Sequence, residues 1–105
     1  HDILHRLSET LASRKHADPE KSYTAKLFSE GPDSILKKIG EECAELIMAG
    51  KDGKRLPIVR ESTDVIYHIL VLLAFYDMGI EDVSQEMRRR EGISGIDEKA
   101  ARGQK

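Results

Sequence analysis

Residues 39–47 read Ile39-Gly40-Glu41-Glu42-Cys43-Ala44-Glu45-Leu46-Ile47 and set three carboxylates into an otherwise apolar segment. Residues 60–73, RESTDVIYHILVLL, repeat the arrangement, with Glu61 and Asp64 at the mouth of the chain's longest apolar run. On a helix, side chains three positions apart project from neighbouring points of one face. Glu42 with Glu45, and Glu61 with Asp64, therefore form two pairs. At about 100° per residue, Glu42 falls at the edge of the stripe made by Ile35, Ile39 and Leu46. Glu61 falls on the stripe of Val65, His68 and Leu72. Both pairs point toward the side that must be buried.

If the two helices run antiparallel, the pairs face each other and four carboxylates share a small, partly desolvated volume. Such a group does not stay fully ionised unaided, because like charges repel and burial penalises the charged form. Protons or a cation must neutralise it. An all-oxygen donor set without cysteine or paired histidine suits a hard cation, Mg²⁺ or Mn²⁺. Glu41 lies on a more outward face and has three open roles: ligand of a second ion, positioner of a water, or neither. The plainer alternative is a solvated acidic helix surface. Basic side chains near such a metal would carry remaining phosphate charge; Lys38, Lys51, Lys54 and Arg55 flank the acids.

Working outward, Ile35 to Ile47 predicts a helix capped by Asp33 or Ser34 and stopped near Gly50. KDGKRLP is a short hinge, and Pro57 fits the first turn of the next helix, which extends to about Asp77. Ile3, Leu4, Leu7 and Leu11 predict a first helix to about Lys15. Another helix is expected from Glu81 or Asp82 to Arg90, its closing arginines meeting the negative end of the helix dipole. KSYTAKLFSEGPD shows no clear period and reads as a loop with one short turn. IDEKAAR predicts a last short helix. The fold class is all-α, an antiparallel bundle of four to five helices in a single domain over 1–105. The helix through residues 65–76 is apolar almost all round, so it should be fully surrounded, and a homodimer packing it against its mate is expected.

Composition agrees. Among 105 residues, 34% are charged and 39% apolar, which suits a helical protein. A formal net charge of −2 argues against a nucleic-acid partner. The run VIYHILVLLAFY is too short to span a bilayer, so no membrane is expected, and HDILHRL lacks the apolar region of a signal peptide. A single cysteine excludes an internal disulfide and suits a reducing cytoplasm. Cys43 reads as a small packing residue. His68 reads as a core or interface histidine bonded to a nearby acid or carbonyl, and Tyr67, Phe75 and Tyr76 as core or dimer contacts. With His1 in place of Met, the expectation is that the native start is trimmed or lies outside this sequence.

SYTAKLFSEGPDSILKKIGEECAELIMAGKD (22–52), ESTDVIYHILVLL (61–73) and GISGIDEKAARG (92–103) closely resemble the phosphoribosyl-ATP pyrophosphatases, members of the MazG-like all-α nucleotide pyrophosphatases. EExxE with ExxD is common to that superfamily; SYT, KKIGEE and SGxxEKxxR point to this family. The resemblance implies Mg²⁺-dependent hydrolysis of phosphoribosyl-ATP to phosphoribosyl-AMP and pyrophosphate in histidine biosynthesis, with Mn²⁺ able to substitute. It implies a cytoplasmic homodimer with active sites near the shared bundle. By analogy Glu42, Glu45, Glu61 and Asp64 are metal ligands, and Glu41 joins them as a catalytic acid. Ser22, Tyr23, Thr24, Lys38 and Lys51 belong to the substrate pocket, and Lys99 and Arg102 bind phosphate. The cyclohydrolase domain that some relatives carry is not expected here. Two other functions stay open: hydrolysis of noncanonical nucleoside triphosphates, and a non-catalytic helical dimerisation module.

Overall fold

The structure, a computed structural model, describes residues 2–93 and 102–103. Their chain forms α1 (Asp2–Ser13), a 3₁₀ turn (Arg14–His16), α2 (Tyr23–Glu30), α3 (Pro32–Asp52), α4 (Arg55–Phe75) and α5 (Ile80–Arg90). No strand occurs among the described residues, so the all-α expectation holds.

Among the described residues α3 and α4 are the longest helices, are joined through Gly53 and Lys54 alone, and pack against each other more extensively than any other pair of elements. Gly53 sits at φ +72°, a left-handed conformation that costs a side-chain-bearing residue more. Its N–H returns to the carbonyl of Ala49 at 3.1 Å. The helix thus runs past Gly50, where a stop was expected. Its start also differs: Gly31 precedes it and Pro32 opens it, with no side-chain cap from Asp33 or Ser34. Proline at the first position loses nothing, since that N–H has no partner in the helix.

Helix α2 replaces the expected loop. Ser22 is extended and its Oγ accepts the N–H of Ala25 at 3.1 Å, which starts the helix. Thr24, Ala25, Leu27 and Phe28 are buried at helical spacing. Eight residues are too few to be stable alone; the buried face holds this helix on the bundle.

α4 ends at Phe75, earlier than expected. The N–H of Met78 bonds to Leu73 O (2.8 Å) and that of Asp77 to Ala74 O (3.0 Å), with Asp77 at φ +60°. This is the Schellman closure with aspartate where glycine is usual. Lys15, in the middle of the 3₁₀ turn, reaches Asp77 Oδ1 at 2.6 Å, and that ammonium holds the Asp77 carboxyl below its ordinary range.

Leu11, Leu27, Phe28, Ile35, Leu70, Val71 and Ala74 make the core, so α1, α2, α3 and α4 all contribute. Phe28 stacks on Phe75 at 6.5 Å between ring centres. A single chain does not surround α4, however. His68, Leu70, Val71 and Ala74 are buried, whereas Val59, Ile66, Ile69 and Tyr76 stay exposed along another face. Among the described residues no single helix is long and apolar enough to cross a membrane. The short helix expected over 96–102 lies outside the described residues, apart from Arg102.

Candidate active site

The chain reversal at Gly53 places Glu45 and Glu61 equally far along the two helices from the turn. The acids consequently meet. One carboxylate oxygen each from Glu42, Glu45 and Glu61 lie within 4.8 Å of one another. Glu42 is only 8% exposed, Glu61 is half-buried and Glu45 faces solvent. Oε1 of Glu42 and Oε1 of Glu61 are withdrawn from water with no hydrogen-bond partner among the described residues. Native proteins seldom leave buried polar atoms unmatched, and these two belong to residues of one cluster.

Glu61 carries the electrostatic signature of the crowding. Its pKa is raised, first by desolvation, then by hydrogen bonding to Glu45, then by the negative charges of Glu45, Asp64 and Glu42. Crowding of this kind favours the protonated form of Glu61, and a cation placed among the acids would relieve it.

Asp64 stands apart from this trio. It is exposed one turn beyond Glu61, close enough for its charge to act on Glu61. Its backbone carbonyl accepts a hydrogen bond from His68 Nδ1 at 2.9 Å. A carbonyl can only accept, so Nδ1 carries a proton, and in the neutral tautomer Nε2 is the acceptor. The Tyr23 hydroxyl donates to it at 3.2 Å. The pKa of Tyr23 is raised above 10.0, chiefly by desolvation, which keeps that proton on the phenol. His68 is therefore a buried structural histidine bonded to a neighbouring carbonyl, as its sequence position suggested.

The SYT segment divides its labour. Ser22 caps α2, and the buried Thr24 shares a 2.5 Å hydrogen bond with the Tyr67 hydroxyl. Tyr23 alone of the three lines a cavity of about 290 Å³ beside the acids, together with Lys38 and Glu41. Lys38 Nζ lies 3.8 Å from Glu41 and 3.7 Å from Glu42, and joins the cavity to the acid cluster. Glu41 is exposed and outside the trio. Lys51 is exposed at the end of α3. Lys99 lies outside the described residues, and Arg102 is exposed. Lys26 and Lys37, which line the same cavity, escaped the sequence reading. Lys26 was hidden because the helix that presents it was read as a loop.

Fold and site together define a class: all-α bundles whose two longest helices hold a carboxylate cluster with a lysine-lined cavity beside it. The family profile described as "Phosphoribosyl-ATP pyrophosphohydrolase" matches residues 4–91. A protein of Dechloromonas aromatica (strain RCB) called "Phosphoribosyl-ATP pyrophosphatase" is 90% identical over 105 residues, covering 100% of this chain and 97% of its own. Proteins of the same name from Nitrosospira multiformis and Geobacter sulfurreducens are 57% and 54% identical, covering 96% and 98% of this chain and 84% and 95% of theirs. The chain belongs to the phosphoribosyl-ATP pyrophosphohydrolase family, a family of hydrolases.

Proposed function

We propose that this chain hydrolyses phosphoribosyl-ATP to phosphoribosyl-AMP and pyrophosphate, a step of histidine biosynthesis. Family membership supplies the substrate class. The observation that carries the chemistry is the pair of orphaned buried oxygens on Glu42 and Glu61, beside Glu45.

The donor set is all oxygen, and the unmatched oxygens fit a hard divalent ion; Glu42, Glu45 and Glu61, joined by Asp64, would hold Mg²⁺ or its substitute Mn²⁺. Bound there, the ion would neutralise phosphate charge and lower the pKa of a bound water. The chain's own residues do the rest. Lys38, tied to Glu41 and Glu42 before substrate arrives, is positioned to turn its ammonium from these carboxylates to a phosphate oxygen. Glu41, exposed and outside the trio, is the carboxylate left to accept a proton from water. In the reaction, water's oxygen bonds to the α phosphorus while the bond from that phosphorus to the α–β bridging oxygen breaks, pyrophosphate departs with the bridging oxygen, and Glu41 takes the water's proton. Tyr23 keeps its own proton, being committed to His68.

A homodimer belongs to this proposal. Ile66 and Ile69, 44% and 38% exposed, recur with Val59 and Tyr76 along one face of α4 in a single chain. Burying that stripe against its symmetry mate would remove apolar surface from water. Sedimentation should give a dimer at micromolar concentration, and Ile66→Glu should break it.

The deciding assay is pyrophosphate release from phosphoribosyl-ATP, dUTP and ordinary nucleoside triphosphates, with Mg²⁺ and with a chelator. Metal-dependent preference for phosphoribosyl-ATP is expected. Preference for free triphosphates would reject this substrate in favour of noncanonical nucleotides. Absence of Mg²⁺ and Mn²⁺ binding by calorimetry would reject the metal site.

A further inference from the structure

We propose that the cavity beside the acids seats the pyrophosphate half of the substrate, gripped by Lys26 and Lys37 as well as Lys38. This rests on the hydrolase reading above and assigns one part of the substrate to one surface.

Charge is the first argument. Lys26 comes from α2 and Lys37 and Lys38 from α3, so two helices converge three ammonium groups on one cavity. Glu30 and Glu41 also line it, and Glu41 is already engaged with Lys38. Neither Lys26 nor Lys37 has an ion-pair partner among the described residues, so both are available to an anion. Ser34, in the first turn of α3, adds a hydroxyl donor near the positive end of a 21-residue helix.

Size and lining come next. About 290 Å³ lies at the bottom of the range for small-molecule sites. It accommodates two linked phosphates more readily than a base carrying two riboses. Six of its eight lining residues, all but Tyr23 and Leu27, carry charged or hydroxyl groups able to meet phosphate oxygens or their counter-ions.

Contiguity decides which phosphates. Phosphoribosyl-ATP carries phosphate at two ends, separated by a ribose, the adenine and a second ribose. Lys38 belongs to the cavity and also lies within 4.0 Å of Glu41 and Glu42. A phosphate chain that begins at the acids runs directly into the cavity. The lone phosphate on the second ribose cannot bridge both. The cavity therefore receives the β and γ phosphates, and its lysines stabilise the charge that the departing pyrophosphate acquires.

The test is the Lys26→Ala/Lys37→Ala double variant, at two exposed positions, with circular dichroism to confirm the helical fold. Calorimetric titration with pyrophosphate in Mg²⁺ buffer should show binding weaker by about tenfold per lysine, the range of a charge-assisted hydrogen bond. Product inhibition by pyrophosphate should weaken in parallel, while inhibition by phosphoribosyl-AMP and the preference for phosphoribosyl-ATP over ATP stay unchanged. Unaltered pyrophosphate affinity would overturn the proposal. So would a loss that falls on phosphoribosyl-AMP and on the preference over ATP, since the cavity would then hold the distal phosphate. If the wild-type chain fails to cleave phosphoribosyl-ATP, the proposed reaction falls. The titration still judges the cavity: lysine-dependent pyrophosphate binding upholds it and lysine-independent or absent binding removes it.

Discussion

Tyr67→Phe tests how α2, and with it the cavity wall, is fastened to α4. The substitution removes one oxygen and leaves the ring in place. Its partner, the Thr24 hydroxyl, is 2.5 Å away, and Thr24 is 5% exposed. A neutral hydrogen bond contributes about 1 kcal/mol net, while a buried polar group left unmatched costs about 1–3 kcal/mol. Thr24 has little access to water, so the loss should fall near 2 kcal/mol. Unfolding entropy of about 2.1 cal/mol/K per residue gives roughly 0.22 kcal/mol/K for 105 residues. The Tm should therefore drop by about 9 °C. Thr24→Val alone should cost a similar amount by stranding the tyrosine hydroxyl, though Tyr67 is half-buried and water can partly repair it. The double variant, apolar on both sides, should be less destabilised than the two single effects added together, with a coupling of about 1 kcal/mol or more. Urea unfolding of all four proteins at one concentration measures this, the fixed concentration guarding against shifts from dimer dissociation. A Tyr67→Phe protein as stable as wild type, or single effects that simply add, would refute the claim that this contact is a buried, mutually dependent pair.

Three further outcomes are expected. Because the Glu61 pKa is raised in the folded protein, its contribution to stability is complete below the ordinary value of 4.5 and is lost as pH rises through the folded value. Metal-free protein should weaken over that rise, and Glu45→Gln should flatten the profile by removing Glu61's hydrogen-bonded and charged neighbour; identical pH profiles in chelator would contradict this. Glu86 behaves oppositely: hydrogen bonds from Arg89 and Arg90 pull its pKa to about 2. Its contribution is present above 4.5 and lost as pH falls from there through about 2, so Glu86→Gln should reduce the acid sensitivity seen by circular dichroism. Gly79→Ala would put a methyl carbon 2.8 Å from Ser8 Oγ, the acceptor of the Ile80 N–H at 3.1 Å. Displacing that hydroxyl should cost about 1 kcal/mol, and thermal melts should show a smaller penalty when Ser8 is already alanine.

The apolar periodicities of residues 35–47 and 65–76 determined two long helices by themselves, and the short hinge KDGKRLP between them made an antiparallel pair the simple outcome. Acids placed on the buried edge of those stripes announced a shared site, because the helical repeat alone sets which side chains project together. That His68 sits in a core or interface and bonds an acid or a carbonyl was legible from its place on the apolar stripe, and the structure selects the carbonyl of Asp64. Helix α2 was not, since its stability comes from a face packed against other helices and not from its own eight residues. The ends of α3 and α4 depended on backbone angles at Gly53 and Asp77, which composition does not reveal. That Glu42, Glu45 and Glu61 converge while Asp64 stands a turn away, and that Lys26 and Lys37 share a cavity with Lys38, follows from the register and packing of three helices. Periodicity fixes directions around one axis; only tertiary contact fixes the distances between axes, and the charge cluster is a matter of distance.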